Sequence, residues 1–219
     1  MPRLLFEKTQ NAAWISHLDL MRLFQRAFKR AGLHLTHSQG FNPRPSVSIA
    51  LPLSVGVESV CELLDFELDG ESLSCEEIQN RLNRALVDGI KVLCVYDKGS
   101  KIRDLTRLRC AVYLEYDNGV PDSALQSITS LFARQEILVE KKSKGKTQVQ
   151  NIIPMIYGMD VTQLDCNTVV LDAVISCQNP TLNPTQLVSA IVNELPILKP
   201  DFFKCRRMEI FNDNNVVFR

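Results

Sequence analysis

One stretch near the N-terminus, residues 16–32, decides the fold, and it reads SHLDLMRLFQRAFKRAG. Ser16 with an acid three residues later is typical of a helix N-cap, and Gly32 is typical of the C-terminal end of the same helix. The apolar residues between them are Leu20, Met21, Phe24, Ala27, Phe28 and Ala31. Because this spacing places them on one stripe, the stretch predicts an amphipathic helix packed against a core.

Short apolar runs around this helix predict four strands, and a Ser-x-x-Glu capping pattern predicts a second helix. In chain order these further elements are residues 4–8, 47–51, 62–68, 74–86 and 90–96. The resulting order is strand, helix, strand, strand, helix, strand. This is the split β-α-β pattern of ferredoxin-like folds, so residues 1–97 are predicted to form one antiparallel domain.

The second half of the chain repeats this plan. Its predicted strands and helices lie near residues 108–116, 121–133, 137–140, 147–153, 169–176, 183–193 and 204–211. They predict a second ferredoxin-like domain over residues 108–219, with an inserted strand around Met155–Val161. Lys98–Arg107, which is rich in basic residues and contains a glycine, is predicted to be the linker. The expected fold class is α+β, with two tandem ferredoxin-like domains and antiparallel sheets.

Composition excludes several classes of protein. The 219 residues are 45% hydrophobic and 23% charged, which is typical of globular proteins and excludes a disordered chain. The 25 basic residues balance the 25 acidic ones, so no overall field identifies a nucleic-acid or membrane binder. Seven cysteines without a C-x-x-C pair exclude a zinc knuckle and favour a reducing compartment. With no run of ~20 apolar residues, we expect a cytoplasmic protein without membrane contact.

Charge is nevertheless uneven along the chain, since residues 1–45 contain seven basic residues and two acids. Arg22, Arg26 and Lys29 recur on the helix face opposite the apolar stripe, and Arg30 follows them. We call these four residues the basic ridge. A solvated outer face is the alternative interpretation. The sequence favours a phosphate-binding role because no acid interleaves with the ridge and the one nearby acid, Asp19, belongs to the N-cap.

The connection after this helix, residues 33–45, is long enough to be functional. Two prolines stiffen it, and Gly40 permits a positive φ or a close approach. Phe41 is predicted to stack on a base, with polar neighbours suited to a nucleotide; the alternative is that Phe41 fills the core. The candidate ligand-binding residues are Arg22, Arg26, Lys29, Arg30, His37, Ser38, Gly40, Phe41, Asn42 and Arg44.

The same residues carry a family resemblance. Four motifs resemble the radical-SAM-linked bacterial protein family. They are SHLDLMR at 16–22, SQGFNP at 38–43, PLSVG at 52–56 and Leu82-Asn83 with Gly89. Its members occur as stand-alone chains or as the C-terminal domain of B12-binding-type radical SAM proteins. The resemblance covers about residues 3–93, with Arg44 where the family usually has His.

This resemblance implies an accessory protein of unknown function whose partner is a radical SAM protein. The iron–sulfur cluster and S-adenosylmethionine are expected only in that partner, with no cofactor or metal in this chain.

Three functions stay open. The first is a non-catalytic protein that binds RNA, or a nucleotide-like ligand, through the basic ridge and the following loop, with a basic hairpin at Lys141–Lys146 adding charge. The second is a metal-independent RNA endonuclease resembling CRISPR-repeat processing enzymes, with His37 as general acid–base, assisted by His17. The third is a protein-interaction adaptor that uses the acidic segment 58–77. We favour the first, because the second half lacks the glycine-rich loop of those endonucleases.

Overall fold

The structure, a computed structural model, describes residues 1–70, 73–143 and 146–219. The chain divides into two compact units. The first contains Met1–Asp104 together with Val217–Arg219, and the second contains Leu105–Val216. Within the described residues, no helix is long and apolar enough to cross a membrane.

In the described part of the first unit there are four strands and two α-helices. They are β1 (Arg3–Lys8), α1 (His17–Arg30), β2 (Val47–Ile49), β3 (Glu58–Phe66), α2 (Cys75–Ala85) and β4 (Ile90–Tyr96). The strands lie in the order β4-β1-β3-β2, and the three pairings are antiparallel. Short 3-10 helices occupy Gln10–Trp14 and Ile102–Asp104.

The core of the first unit lies between the sheet and its two helices. Alternate residues of β1 and β3, including Phe6 and Phe66, are buried in one cluster with residues of α1 and α2. The ring of Phe6 meets Phe24 edge to face at 4.7 Å, and Phe28 lies 5.2 Å from Phe66. The apolar stripe predicted for residues 16–32 therefore anchors α1 to the sheet.

The second unit has the same order of main elements with a hairpin added. They are β5 (Leu105–Glu115), α3 (Ala124–Phe132), β6 (Leu138–Ser143), β7 (Lys146–Asn151), β8 (Ile156–Gln163), β9 (Thr168–Ser176), α4 (Pro184–Glu194) and β10 (Phe202–Asn212). The main sheet has the order β10-β5-β9-β8 with antiparallel pairings. The α+β class with antiparallel sheets is thereby confirmed.

Two details differ from the sequence prediction. The predicted inserted strand around Met155–Val161 is β8, which pairs with β9 along the edge of the main sheet. The inserted element is instead the hairpin β6–β7, which forms a two-stranded sheet of its own. Also, the predicted linker Lys98–Arg107 ends early, because Leu105 is fully buried and already begins β5.

Candidate nucleic-acid interface

Helix α1 displays the basic ridge to solvent. Its start is fixed by Ser16, whose Oγ accepts a hydrogen bond from the Asp19 amide at 3.2 Å, as the capping pattern predicts. Its apolar face is buried in the core through Leu20, Phe24, Ala27 and Phe28. The opposite face carries the ridge, and Arg22, Arg26, Lys29 and Arg30 are exposed.

The N-terminal end of the ridge is not free of acid, contrary to the sequence prediction. Asp19 accepts from the Ser16 hydroxyl at 2.7 Å and, through its other oxygen, from Arg22 Nη1 at 3.1 Å. The Ser16 hydrogen bond and then the Arg22 guanidinium hold the pKa of Asp19 below its ordinary value. A carboxylate has enough acceptor sites to serve the cap and an arginine together. Arg26 and Lys29 form no ion pair with another described residue, although the charge of Arg26 also helps to hold the Asp19 pKa down.

The C-terminal end of the ridge adjoins α2. Arg30 Nη2 donates to the Ala85 carbonyl at 2.6 Å, next to the end of α2. Arg30, Arg81 and Arg84 line a shallow groove of about 420 Å³. Arg81 is held there by Glu77, with Nε 2.7 Å from the carboxylate. Sequence reasoning missed the two α2 arginines, because only the packing of α1 beside α2 brings them to the ridge.

The loop of residues 33–45 folds into two arms that are bonded to the end of β3. The Thr36 amide donates to the Glu67 carbonyl at 2.9 Å, and the Glu67 amide donates to the Ser46 carbonyl at 3.1 Å. The arms also pair with each other, since His37 and Pro45 form an antiparallel bridge. The expected ordered loop near the N-terminal sheet is therefore present at its base.

The tip of this loop projects into solvent. The Ser38 amide donates to the Arg44 carbonyl at 2.9 Å, and the Arg44 amide donates back to Ser38 Oγ at 3.0 Å. Gly40 has a φ of +132°, which L-residues with a side chain rarely adopt. Phe41 is fully exposed, so the alternative in which it fills the core is excluded. Asn42 and Arg44 are exposed beside it.

A cavity of about 310 Å³ lies between α1 and the base of the loop. It brings together two predicted site residues, Lys29 and His37, and adds His34, which sequence reasoning left out. The full lining is Gln25, Phe28, Lys29, Leu33, His34, Leu35, His37 and Pro45. The remaining predicted residues, on the ridge and at the loop tip, are outside this lining. The site is therefore an open surface with one apolar hollow that carries cationic and imidazole groups.

The structure does not bring the two proposed catalytic histidines together. His17 is the first residue of α1, whereas His37 lines the cavity beside residues 25–29 of the same helix. Eight or more residues of helix separate them, which corresponds to about 12 Å along the axis. His17 Nδ1 is buried and has no hydrogen-bond partner among the described residues. A shared proton transfer between these histidines is incompatible with this arrangement.

The predicted basic hairpin at Lys141–Lys146 belongs to β6–β7 of the second unit. Its turn residues Lys144 and Gly145 lie outside the described residues. The site described here therefore consists of residues of the first unit only.

A family model described as an uncharacterised protein conserved in bacteria, DUF2344, matches residues 2–184. No curated protein matches the chain in sequence. A chain in the crystal structure of a Cbf5-Nop10-Gar1 complex is similar at 11% identity and a TM-score of 0.54, over 95% of this chain and 48% of that one.

A chain in an H/ACA RNP bound to a substrate RNA containing 2'-deoxyuridine is similar at 10% identity and a TM-score of 0.47, over 94% of this chain and 46% of that one. This chain thus spans about half the length of each of these two chains. At these identities the likeness concerns the fold alone.

Proposed function

The chain belongs to the DUF2344 family of uncharacterised proteins conserved in bacteria, and we propose that it binds RNA without cleaving it, as an accessory protein of a radical SAM enzyme. The observation that carries the proposal is the basic ridge. Arg26 and Lys29 are exposed without an ion-pair partner among the described residues, and Arg30 and Arg84 continue the positive surface to α2, where Arg81 is paired with Glu77.

The spacing of these cations favours a polyanion over a single small anion. From Arg22 to Lys29 the rise along the helix is about 10 Å, and the α2 arginines extend the surface beyond α1. Like charges gathered on one surface repel each other unless a ligand neutralises them. A phosphodiester backbone supplies negative charge at intervals along such a surface.

We also infer that both units are ferredoxin-like. What supports this is their common topology: in each unit a helix follows the first and the third main strand, and the strands lie in the orders β4-β1-β3-β2 and β10-β5-β9-β8. Such units occur in RNA-binding proteins, but a fold hosts many functions, so this analogy adds little by itself. The RNA proposal rests on the site.

The proposal is tested with the double variant Arg22→Ala, Arg26→Ala. Its binding to end-labelled total small RNA from a bacterium is measured by fluorescence anisotropy between about 50 and 300 mM KCl. Affinity that depends on phosphate contacts falls steeply over this range of salt. Losing two phosphate contacts should weaken binding and make the slope of log K against log salt less negative by about 1.4, at ~0.7 per contact for single-stranded RNA. Thermal stability should stay close to that of the wild type, because exposed substitutions usually change stability by less than about 0.5 kcal/mol.

A matched control removes the same charge elsewhere. Arg103 and Arg134 are exposed, lie outside the proposed surface, and pair with Asp104 and Glu194. The double variant Arg103→Ala, Arg134→Ala should bind RNA as the wild type does. Absence of RNA binding, or equal weakening by the control, contradicts the proposal.

The same experiment separates the other two functions. Shortening of the labelled RNA in excess EDTA would identify the metal-independent endonuclease. A chain that binds no RNA, but retains a protein partner after nuclease treatment, would be the adaptor.

The radical SAM partner is proposed from the family resemblance of residues 16–56 and 82–89. Its iron–sulfur cluster and S-adenosylmethionine should be bound by that partner and not by this chain. Anaerobic co-expression with the candidate enzyme, followed by size-exclusion chromatography, should give a complex whose iron content is that of the enzyme alone. Separate elution of the two proteins would remove this part of the proposal.

A further inference from the structure

The loop tip raises a question that the basic ridge does not answer, because phosphate binding needs no aromatic side chain. Phe41 is the most exposed large apolar side chain among the described residues. A single exposed apolar residue is ordinary on a protein surface, so what distinguishes Phe41 is its place at the tip of a hydrogen-bonded loop. Its position is not that of an unstructured segment. Reciprocal Ser38–Arg44 hydrogen bonds close the tip, and the Thr36–Glu67 hydrogen bond fixes its base.

The cavity beside the loop has a chemistry that complements this aromatic ring. Its walls include Phe28, Leu33 and Leu35, and its polar groups include the Lys29 ammonium and the His37 imidazole. At about 310 Å³ it lies near the small end of the ~300–1,000 Å³ range of ligand pockets. A space of this size fits one planar heterocycle, which would meet mainly the exposed rim of Lys29, His34 and His37, because Phe28 and Leu33 are almost fully covered.

From these two features, and resting on the proposed RNA binding, we propose that the site recognises unpaired nucleotides: the cavity accepts one base, and Phe41 stacks on another base close to it along the strand. The loop tip and the cavity are joined through His37 and Pro45, which line the cavity and form the bridge that precedes the tip. Phe41 is four residues along the chain from each of them, so it lies at most about 14 Å from either.

Duplex RNA cannot satisfy this site. In an A-form helix each base face is covered by its neighbours, and the deep major groove keeps side chains from the base edges. Phe41 and the cavity would then contact only backbone, leaving the ridge as the sole source of affinity. Single-stranded RNA offers base faces to aromatic side chains and phosphates to cations in the same complex.

The experiment uses the full chain and two probes of one sequence. One is a labelled single strand of about 12 nucleotides, within the ~4–16 nucleotides that one single-strand-binding domain covers, and the other is the blunt duplex of that strand with its complement. Wild-type protein should bind the single strand at least tenfold more tightly than the duplex. Phe41→Ala should weaken single-strand binding by roughly 5- to 150-fold, the range that corresponds to base stacking on one aromatic ring, and leave duplex binding unchanged. Phe41→Trp should restore it.

Two controls identify the source of the effect. Ile197→Ala truncates another highly exposed apolar side chain, in the second unit, and should change neither affinity. The loss caused by Phe41→Ala should persist at high salt, whereas the loss caused by Arg22→Ala, Arg26→Ala should shrink, since salt screens charges and not stacking.

The outcomes separate this inference from the function on which it rests. Salt-dependent binding that is equally tight for duplex and single strand, or unaffected by Phe41→Ala, overturns the unpaired-nucleotide specificity and leaves RNA binding intact. Binding to neither probe nor to total small RNA overturns both.

Discussion

The ion pair between Arg3 and Asp65 gives the sharpest test of what holds the first unit together. The two residues are directly opposed on β1 and β3. Arg3 Nε lies 2.5 Å from one carboxylate oxygen and Nη2 lies 2.9 Å from the other. The side chains are only 3% and 15% exposed. Removing either partner leaves the other charged group in an environment that water hardly reaches.

We expect Asp65→Asn to lower the free energy of unfolding by about 3–5 kcal/mol, the usual cost of breaking a buried pair. The guanidinium cannot easily move out to water. It lies 5.3 Å from the centre of the Phe218 ring. The Gly99 backbone packs so closely on it that a side chain at that position would put a Cβ 2.3 Å from Arg3 Cζ. The double variant Arg3→Met, Asp65→Leu removes both charges and should cost less than the single variant.

The assay is equilibrium unfolding in urea followed by tryptophan fluorescence. Trp14 is the only tryptophan of the chain, and its ring lies against Gly56 in the first unit, so its emission reports on that unit. Circular dichroism in parallel monitors the whole chain. Two results would refute the reasoning. One is a loss of less than about 1 kcal/mol of unfolding free energy for Asp65→Asn, with the same dependence on urea concentration as the wild type. The other is a double variant that loses as much as the single variants Arg3→Met and Asp65→Leu together.

Two further predictions concern the cores. Phe24→Ala should cost about 3–5 kcal/mol, because Phe24 is fully buried against Phe6, whereas Phe41→Ala should leave the urea midpoint unchanged; equal costs would contradict the assigned burial. In the second unit, burial raises to about 12 the pKa of three thiols, at Cys110, Cys177 and Cys205. Since an unfolded thiol ionises near pH 9, their contribution to stability is complete below pH 9 and falls as pH rises towards 12. Cys205→Ala should reduce that alkaline loss by up to about 1.4 kcal/mol per pH unit, measured by circular dichroism. If stability falls with pH as steeply in the variant as in the wild type, the prediction is wrong. Burial lowers the pKa of Lys8 in the first unit, which changes stability with pH in the opposite sense.

Features that depend on a few neighbouring residues could be predicted from the sequence. The start of α1 at Ser16 and that of α2 at Ser74 follow from capping patterns, in which a side chain bonds to an amide three residues away. The buried stripe of α1 follows from a period of 3.6 residues. These interactions are complete within one or two turns of helix, so no knowledge of the rest of the fold is required.

Features that depend on strand pairing could not be predicted. The residues of β8 are largely exposed, so the alternation of Tyr157, Met159 and Val161 does not by itself assign β8 to the main sheet, and the hairpin β6–β7 has apolar residues of its own. Local pattern therefore ranked the hairpin as part of the sheet and β8 as the insertion. Only the pairing of β8 with β9 reverses that assignment.

The candidate site shows the same division. The exposure of the basic ridge follows from the helix period, but its connection to Arg81 and Arg84 needs the packing of α1 beside α2. The double role of Asp19 was missed because sequence reasoning assigned one partner to a carboxylate that accepts from two. The exposure of Phe41 depends on how the loop arms pair, which no local pattern specifies.

The distribution of charge decides how such a site would act in a chain without net charge. Segment 58–77 carries eight acidic residues and no lysine or arginine, and it follows closely on the basic segment 1–45. Beyond a Debye length of about 8 Å at physiological salt, the opposite charges largely cancel, so the chain cannot draw RNA in from a distance. Within that length Arg26 and Lys29 act without an ion-pair partner among the described residues, and the exposed acids Glu67, Asp69 and Glu76 repel phosphates from their own part of the first unit. A balanced chain of this kind selects the orientation in which RNA binds, and its affinity depends on close contacts, which makes a stacking residue such as Phe41 more important than it would be on a strongly basic protein.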